Sequence, residues 1–238
     1  MKTVLITGAN KGIGFETARQ MAQLGYFVYL GSRDKAKGLD AISRLKEQGI
    51  SNVECIEMDV TDIHSVILAK QELESKIEGL DVLINNAGIA GEMPQNISTV
   101  NMENLRKVFE TNFFGTVQTT QQFIPLLKKS SEPVIVNVSS ELGSLTIHNK
   151  RQNPNYELFD AYSCSKTALN AFTVMLSNEF INTNFKINSV SPGYTATDFT
   201  QYRGTQTVEQ GAKFIVNYAT QGTDGVTGGF FKEQVIPW

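Results

Sequence analysis

The sequence of 238 residues predicts an α/β fold: one domain on a parallel, doubly wound, seven-stranded sheet with helices on both faces. Three observations carry that prediction. Short apolar runs, suited to strands buried on both faces, alternate along the chain with longer segments of helical spacing. No linker, internal repeat or low-complexity tract interrupts the alternation, as expected of one parallel sheet spanning residues 1–238. Each unusual polar cluster falls at the C-terminal end of a predicted strand, where open parallel sheets bind their ligands.

The first strand, Val4 to Ile6, lies in the run KTVLITGANKGIG and leads into Gly8, Gly12 and Gly14 before helical spacing covers Phe15 to Leu24. The first N–H groups of a helix are unpaired and partly positive, and glycine lets a phosphate approach without meeting a Cβ. The spacing T-G-x-x-x-G-x-G differs from the usual G-x-G-x-x-G, and by itself it also suits an ordinary strand-to-helix connection. Tyr26 to Leu30 is the second predicted strand, closed by Gly31-Ser32-Arg33-Asp34, and Lys35 to Gln48 is helical through Leu39, Ile42 and Leu45. A third strand, Asn52 to Met58, ends at Asp59-Val60-Thr61-Asp62 and precedes a helix from Ile63 to Ile77. The fourth, Asp81 to Ile84, runs into Asn85-Asn86-Ala87-Gly88.

One long helical stretch is expected from about Met102 to Lys128, with Asn112 among its apolar positions. The fifth strand, Pro133 to Val138, carries Ser139 and Ser140 at its end, and Glu141 to Phe159 reads as a polar loop. A helix from about Ala161 to Phe180 follows, and then a sixth strand from Phe185 to Val190, stopped by Ser191-Pro192-Gly193. Thr195 to Gln206 reads as a loop, Val208 to Ala219 as a helix, and Gly228 to Lys232 as a short seventh strand.

A net charge of −3, with 41% hydrophobic and 19% charged residues, suits a soluble globular protein and gives no sign of a nucleic-acid partner. No charged leader with an apolar core opens the chain, and no run reaches the roughly 18 apolar residues of a membrane span. Cys55 and Cys164 are far apart, and His64 and His148 lie far from both and from each other. A disulfide framework and a zinc site are therefore not expected, and a cytoplasmic location is.

The stretch that carries chemistry is Tyr162-Ser163-Cys164-Ser165-Lys166 at a predicted helix start. Four residues apart, Tyr162 and Lys166 share one helix face. An ammonium about 4 Å from a phenolate stabilises it by roughly 4 kcal/mol at an effective dielectric of about 20, at most about three pK units. That would make Tyr162 a usable general acid or base. A surface Tyr and Lys give the same spacing, so the pair gains its meaning from the company it keeps.

That company is Thr7-Gly8-Ala9-Asn10-Lys11-Gly12-Ile13-Gly14, Asn85-Asn86-Ala87-Gly88, Asn112, Ser140 and Pro192-Gly193, in this order. With them the chain resembles the short-chain dehydrogenase/reductase family over nearly its whole length, with the single Rossmann-type domain that this family implies. NKGIG, TNFFGT, VNVSS and the terminal tryptophan look most like its carbonyl-reductase branch. The resemblance implies a catalytic set of Asn112, Ser140, Tyr162 and Lys166. Tyr162 would protonate the carbonyl oxygen as hydride arrives, Ser140 would hydrogen-bond that oxygen, and Lys166 would lower the Tyr162 pKa and bind the nicotinamide ribose. Asn112 would hold a water that relays protons to Lys166. Ser139 and Ser140 point to opposite faces of a strand end; Ser140 is preferred because Gly143 follows it as in the family, and Ser139 is the alternative.

Cofactor contacts are expected from Gly8, Asn10, Lys11, Gly12, Ile13, Gly14, Arg33, Lys37, Asp59, Val60, Asn86, Ala87, Gly88, Pro192, Gly193 and Thr195, besides Tyr162 and Lys166. An NAD enzyme places a carboxylate at the end of the second strand, whereas a cation there suits a 2′-phosphate. Here Ser32 takes the acid's place and Arg33 follows, with Lys11 and Lys37 able to converge, so NADPH/NADP+ is the expected cofactor. The other reading is a solvated basic helix start capped by Asp34. Asp59 equally suits a cap of the next helix, Cys164 a packing position and His148 a solvated loop.

Ser140, Tyr162 and Tyr194 are the expected substrate contacts, with a substrate loop at about 194–210 and a short insertion at about 147–160 near the mouth. The expected activity is NADPH-dependent reduction of a ketone or aldehyde. The alternatives are a non-enzymatic NADP(H)-sensing regulator and an NADP-dependent alcohol dehydrogenase working oxidatively. Sugar epimerases also carry a Tyr-x-x-x-Lys pair but need a longer C-terminal substrate region, and enoyl reductases of this fold separate the Tyr and Lys further. The partner expected is a small carbonyl compound, with self-association possible through the helices starting near Met102 and Ala161.

Overall fold

A computed structural model describes residues 1–150 and 159–238. Its seven strands are β1 (Thr3–Ile6), β2 (Phe27–Ser32), β3 (Val53–Glu57), β4 (Val82–Asn85), β5 (Val134–Val138), β6 (Lys186–Val190) and β7 (Phe230–Phe231). They form one sheet in the order β3-β2-β1-β4-β5-β6-β7, every neighbouring pair parallel. The order reverses between β1 and β4, and the crevice at the C-terminal ends of those strands is where a doubly wound sheet receives a ligand.

Strand side chains alternate between the two faces, so each strand supplies two cores. Val4, Ile6, Val28, Leu30, Val82, Ile84, Val134 and Val136 pack under α1 (Gly12–Gln23), α2 (Lys35–Glu47) and α8 (Val208–Ala219). Leu5, Tyr29, Leu83, Ile135 and Ile187 pack on the other face, under α3 (Ile63–Glu74), α5 (Gly115–Leu127) and α7 (Asp160–Glu179). Two short helices complete the described α-helices, α4 (Met102–Phe109) and α6 (Leu145–Asn149). Helix starts follow local chemistry: Asp34 accepts from Lys37 N, Asp62 from His64 N, and Thr207 forms a reciprocal cap with Gln210.

Four expectations need correction. The stretch from Met102 to Lys128 is not one α-helix, because a π-helical turn at Glu110–Phe114 separates α4 from α5. The supposed polar loop after Ser140 contains a 3₁₀ turn, Glu141–Gly143, and α6, whose Ser144 cap accepts from Ile147 N. The first helix starts at Gly12 rather than Phe15, so Gly12 and Gly14 belong to its first turn. The seventh strand is only Phe230–Phe231. Of the expected insertion at 147–160, residues 151–158 lie outside the described part of the chain.

Candidate active site

The turn after β1 is held open by glycine and closed from above by the β4 end. Gly8 and Gly12 have φ of +62° and +58°, a region that side chains with a Cβ rarely occupy. A Cβ on Gly8 would lie 2.9 Å from Ala87 Cα, and one on Gly14 would run into the Asn86 amide. Asn86 Nδ2 donates to the carbonyls of Thr7 (2.8 Å) and Gly8 (3.1 Å), while Thr7 Oγ1 accepts from the backbone N–H groups of Asn86 and Ala87, both at 2.9 Å. Helix α1 therefore begins against a fixed floor. No side chain caps its start at Lys11, and no acidic residue lies in its first turn. Uncapped N–H groups beside two left-handed glycines fit the pyrophosphate of a dinucleotide.

Cations lie in the glycine turn, just past β2 and on α2. Arg33 is exposed just past β2 and pairs with no acidic group among the described residues. Ser32 is buried, with its Oγ donating to Asp34 O at 2.8 Å, so no carboxylate stands at the strand end itself. Lys37 pairs with Asp34 at 3.2 Å. Lys11 pairs with Asp198 at 2.7 Å. Arg44, not among the residues expected to meet the cofactor, donates to Asn10 O at 2.9 Å and lies 4.4 Å from the centre of the Phe15 ring. It stands seven residues after Lys37, two helical turns along, which was the available signal. Ile13 packs partly against the α1 side of the core. Asp59 Oδ1 accepts from Thr61 N and Thr61 Oγ1, and the buried Val60 gives its carbonyl to the Gln118 side chain.

The chemical groups meet at the ends of β4 and β5. Tyr162, on the first turn of α7, is 8% exposed, and its hydroxyl lies near Ser140. Burial pushes its pKa up to about 12, and the Ser140 hydroxyl pulls the other way. Ser139 turns inward instead: its Oγ donates to Asn170 Oδ1 at 2.7 Å on α7. Lys166 is 4% exposed, donates from Nζ to Val138 O at 2.8 Å, and lies 5.6 Å from the centre of the Tyr162 ring. Burial lowers its pKa to about 8.

The expected lowering of the Tyr162 pKa by Lys166 is not seen in this geometry. The ammonium faces the ring and the Val138 carbonyl, and the desolvation of a buried phenolate outweighs the pull of the Ser140 hydroxyl. Asn112 lies in the π-helical turn, wholly buried, with its amide bonded to Ile89 N, Ile89 O and Ser165 Oγ. Gly88 allows the approach: a Cβ there would lie 3.3 Å from Asn112 Oδ1 and 3.7 Å from Lys166 Nζ. Tyr162 N donates to the buried Gln95 Oε1 at 3.0 Å, an anchor of α7 that sequence spacing could not reveal.

Past β6, Gly193 has φ +74°, and the buried Thr195 Oγ1 donates to Pro192 O at 3.1 Å. Tyr194 is exposed. Phe199, also overlooked in the sequence, packs edge-on against Tyr162 with ring centres 5.4 Å apart. No group of three or more metal-ligating side chains occurs among the described residues, and no helix there is long and apolar enough to cross a membrane.

The chain is similar to known proteins over nearly its whole length. The family model described as short chain dehydrogenase matches residues 2–208. A (+)-neomenthol dehydrogenase of Capsicum annuum is 34% identical over 302 residues, covering 98% of this chain and 96% of the relative. The solved structure of salutaridine reductase from Papaver somniferum superposes with a TM-score of 0.85 at 29% identity, over 98% of this chain and 100% of that one. An NADPH-bound carbonyl reductase from chicken fatty liver gives 0.85 at 26% identity, over 100% and 99%.

Proposed function

The chain belongs to the short-chain dehydrogenase/reductase family and is an oxidoreductase acting on CH–OH and C=O groups; from that premise we propose that it is an NADPH-dependent carbonyl reductase, turning a ketone or aldehyde into an alcohol. The observation that carries the proposal is the buried Tyr162 hydroxyl near Ser140, with the buried Lys166 ammonium 5.6 Å from the centre of its ring. The nicotinamide, when bound, supplies the hydride. Tyr162 supplies the proton from its hydroxyl. Burial keeps the proton on the hydroxyl at physiological pH, the form a proton donor needs. Ser140 Oγ holds the carbonyl oxygen beside Tyr162, and the buried Lys166 would hold the nicotinamide ribose.

The residues present fit the cofactor. The turn from Gly8 to Gly14 offers uncapped N–H groups to the pyrophosphate, and Arg33, Lys11 and Lys37 would meet a 2′-phosphate where Ser32 leaves no carboxylate to repel it. The chicken carbonyl reductase structure is described as NADPH-bound, which supports the same choice.

The test is loss of NADPH absorbance with a panel of ketones and aldehydes. Turnover is expected, and Tyr162→Phe should remove it by about 10³-fold with NADPH still bound. Protein that binds NADPH but oxidises none with any carbonyl would be a regulator. Full turnover in Tyr162→Phe would overturn the mechanism.

A further inference from the structure

Between β6 and α8 the chain folds back over the glycine turn in a compact segment. A 3₁₀ turn, Asp198–Thr200, is capped by Thr197, whose carbonyl also accepts from Tyr202 N at 2.8 Å. Gln201 and Tyr202 have φ of +51° and +57°, a left-handed pair without glycine, so outside contacts must hold the turn. Those contacts face two ways. Toward the cofactor groove, Asp198 Oδ2 pairs with Lys11 at 2.7 Å, Asp198 Oδ1 accepts from the Tyr202 hydroxyl at 2.5 Å, and the Thr197 methyl lies 3.7 Å from where a Cβ on Gly12 would be. Toward the carbonyl site, the next residue, Phe199, rests edge-on against the Tyr162 ring yet is 43% exposed. An exposed aromatic face beside a proton donor suits apolar contact with a bound molecule.

We propose that Asp198 is a positioning residue that ties the cofactor turn to the carbonyl pocket, and that Phe199, carried on the same turn, is the specificity wall for bulky apolar carbonyl substrates. The inference rests on the reductase reading for its substrate and on Lys11 as a reader of the 2′-phosphate. Lys11 cannot give its full charge to both partners. An anion at the groove therefore draws it from Asp198, and loop order responds to the cofactor's phosphate.

The test uses Asp198→Asn, Asp198→Glu and Phe199→Ala in the full chain, with menthone and cyclohexanone as bulky and small probes. Asp198→Asn should speed amide hydrogen exchange across 194–207 in the protein alone and, in turnover with NADH, which carries no 2′-phosphate to draw Lys11 away, raise the KM for menthone about fivefold with kcat within twofold; Asp198→Glu should restore both. Freed Lys11 should bind NADPH about threefold more tightly and NADH no differently. Added salt screens an exposed pair, so with NADH it should raise the menthone KM of the natural protein and leave that of Asp198→Asn unchanged. Phe199→Ala should lower the menthone-to-cyclohexanone ratio of kcat/KM about tenfold, the loss expected for one apolar contact face. Unchanged loop exchange and unchanged NADPH-over-NADH binding in Asp198→Asn would overturn the coupling, and an unchanged substrate ratio in Phe199→Ala would overturn the wall. If no ketone is turned over, the reductase reading fails while the exchange and binding measurements still decide the coupling.

Discussion

Lys166→Met should make the protein more stable while making it inactive. Lys166 is 4% exposed, and among the described residues its ammonium donates to one partner, Val138 O at 2.8 Å. Burial lowers its pKa from 10.5 to about 8. At about 1.4 kcal/mol for each pK unit, the folded state carries about 3 kcal/mol of unfavourable free energy for keeping that charge at pH 7. The sign follows from the protons bound. Below about pH 8 both states hold the proton and the cost is fully present; between about 8 and 10.5 the unfolded chain holds more protons, so stability rises with pH. Tyr162, with its pKa raised to about 12, adds no slope until the unfolded phenol titrates near 10.

Methionine fills similar volume without charge but leaves the Val138 carbonyl without that donor, at a cost of about 1 kcal/mol. The net gain of about 2 kcal/mol corresponds to a Tm rise of about 4–8 °C for a domain of this size. Thermal unfolding followed by circular dichroism at pH 7 and pH 9.5 reads both effects. The natural protein should gain stability between the two pH values, Lys166→Met should show a smaller change, and its kcat should fall by at least about 10²-fold. An equal or lower Tm at pH 7 with the same pH slope would refute the argument, because the buried ammonium would then carry no net cost.

Arg33→Ala should raise the NADPH dissociation constant about 10- to 100-fold and leave that of NADH within twofold, as loss of a charge-assisted contact to phosphate predicts; fluorescence titration with each cofactor checks it. The two serines should separate by readout. Ser140→Ala, removing the neighbour of the Tyr162 hydroxyl, should lower kcat about 10²- to 10³-fold at nearly unchanged stability. Ser139→Ala, removing the bond to Asn170, should cost about 1–2 kcal/mol of stability in a denaturant titration and keep kcat within threefold.

What the sequence revealed was local. The strands and the glycine turn were legible because a short apolar run and the need for positive φ are written in adjacent positions. The four-residue spacing of Tyr162 and Lys166 likewise placed both on one helix face. It could not say where the lysine's long stem would deliver its charge, since Val138 O belongs to another element 28 residues away. The π-helical turn escaped for the same reason: its Asn112 is bonded to Ile89, 23 residues earlier, and hydrophobic periodicity reads straight through it. Asp198 and Phe199 stood in a segment of polar composition, and nothing nearby in sequence pointed to Lys11 or Tyr162, their partners across the groove.

The bonding of Asn112 narrows what that residue can do. Both N–H groups of its amide are committed, one to Ile89 O and one to Ser165 Oγ, each at 3.0 Å. Its Oδ1 already accepts from Ile89 N at 2.9 Å, which leaves the side chain room for one further donor and none to donate. Ser165 in turn donates to Tyr162 O at 2.6 Å. The amide thus braces the loop after Gly88 against the first turn of α7, the turn that carries Tyr162. A water relaying protons to Lys166 could therefore only donate to this side chain, at the one acceptor site left on Oδ1. Replacing Asn112 should therefore disturb the seating of Tyr162 before it disturbs any relay. A variant that loses activity with its α7 amide exchange unchanged would reverse that order.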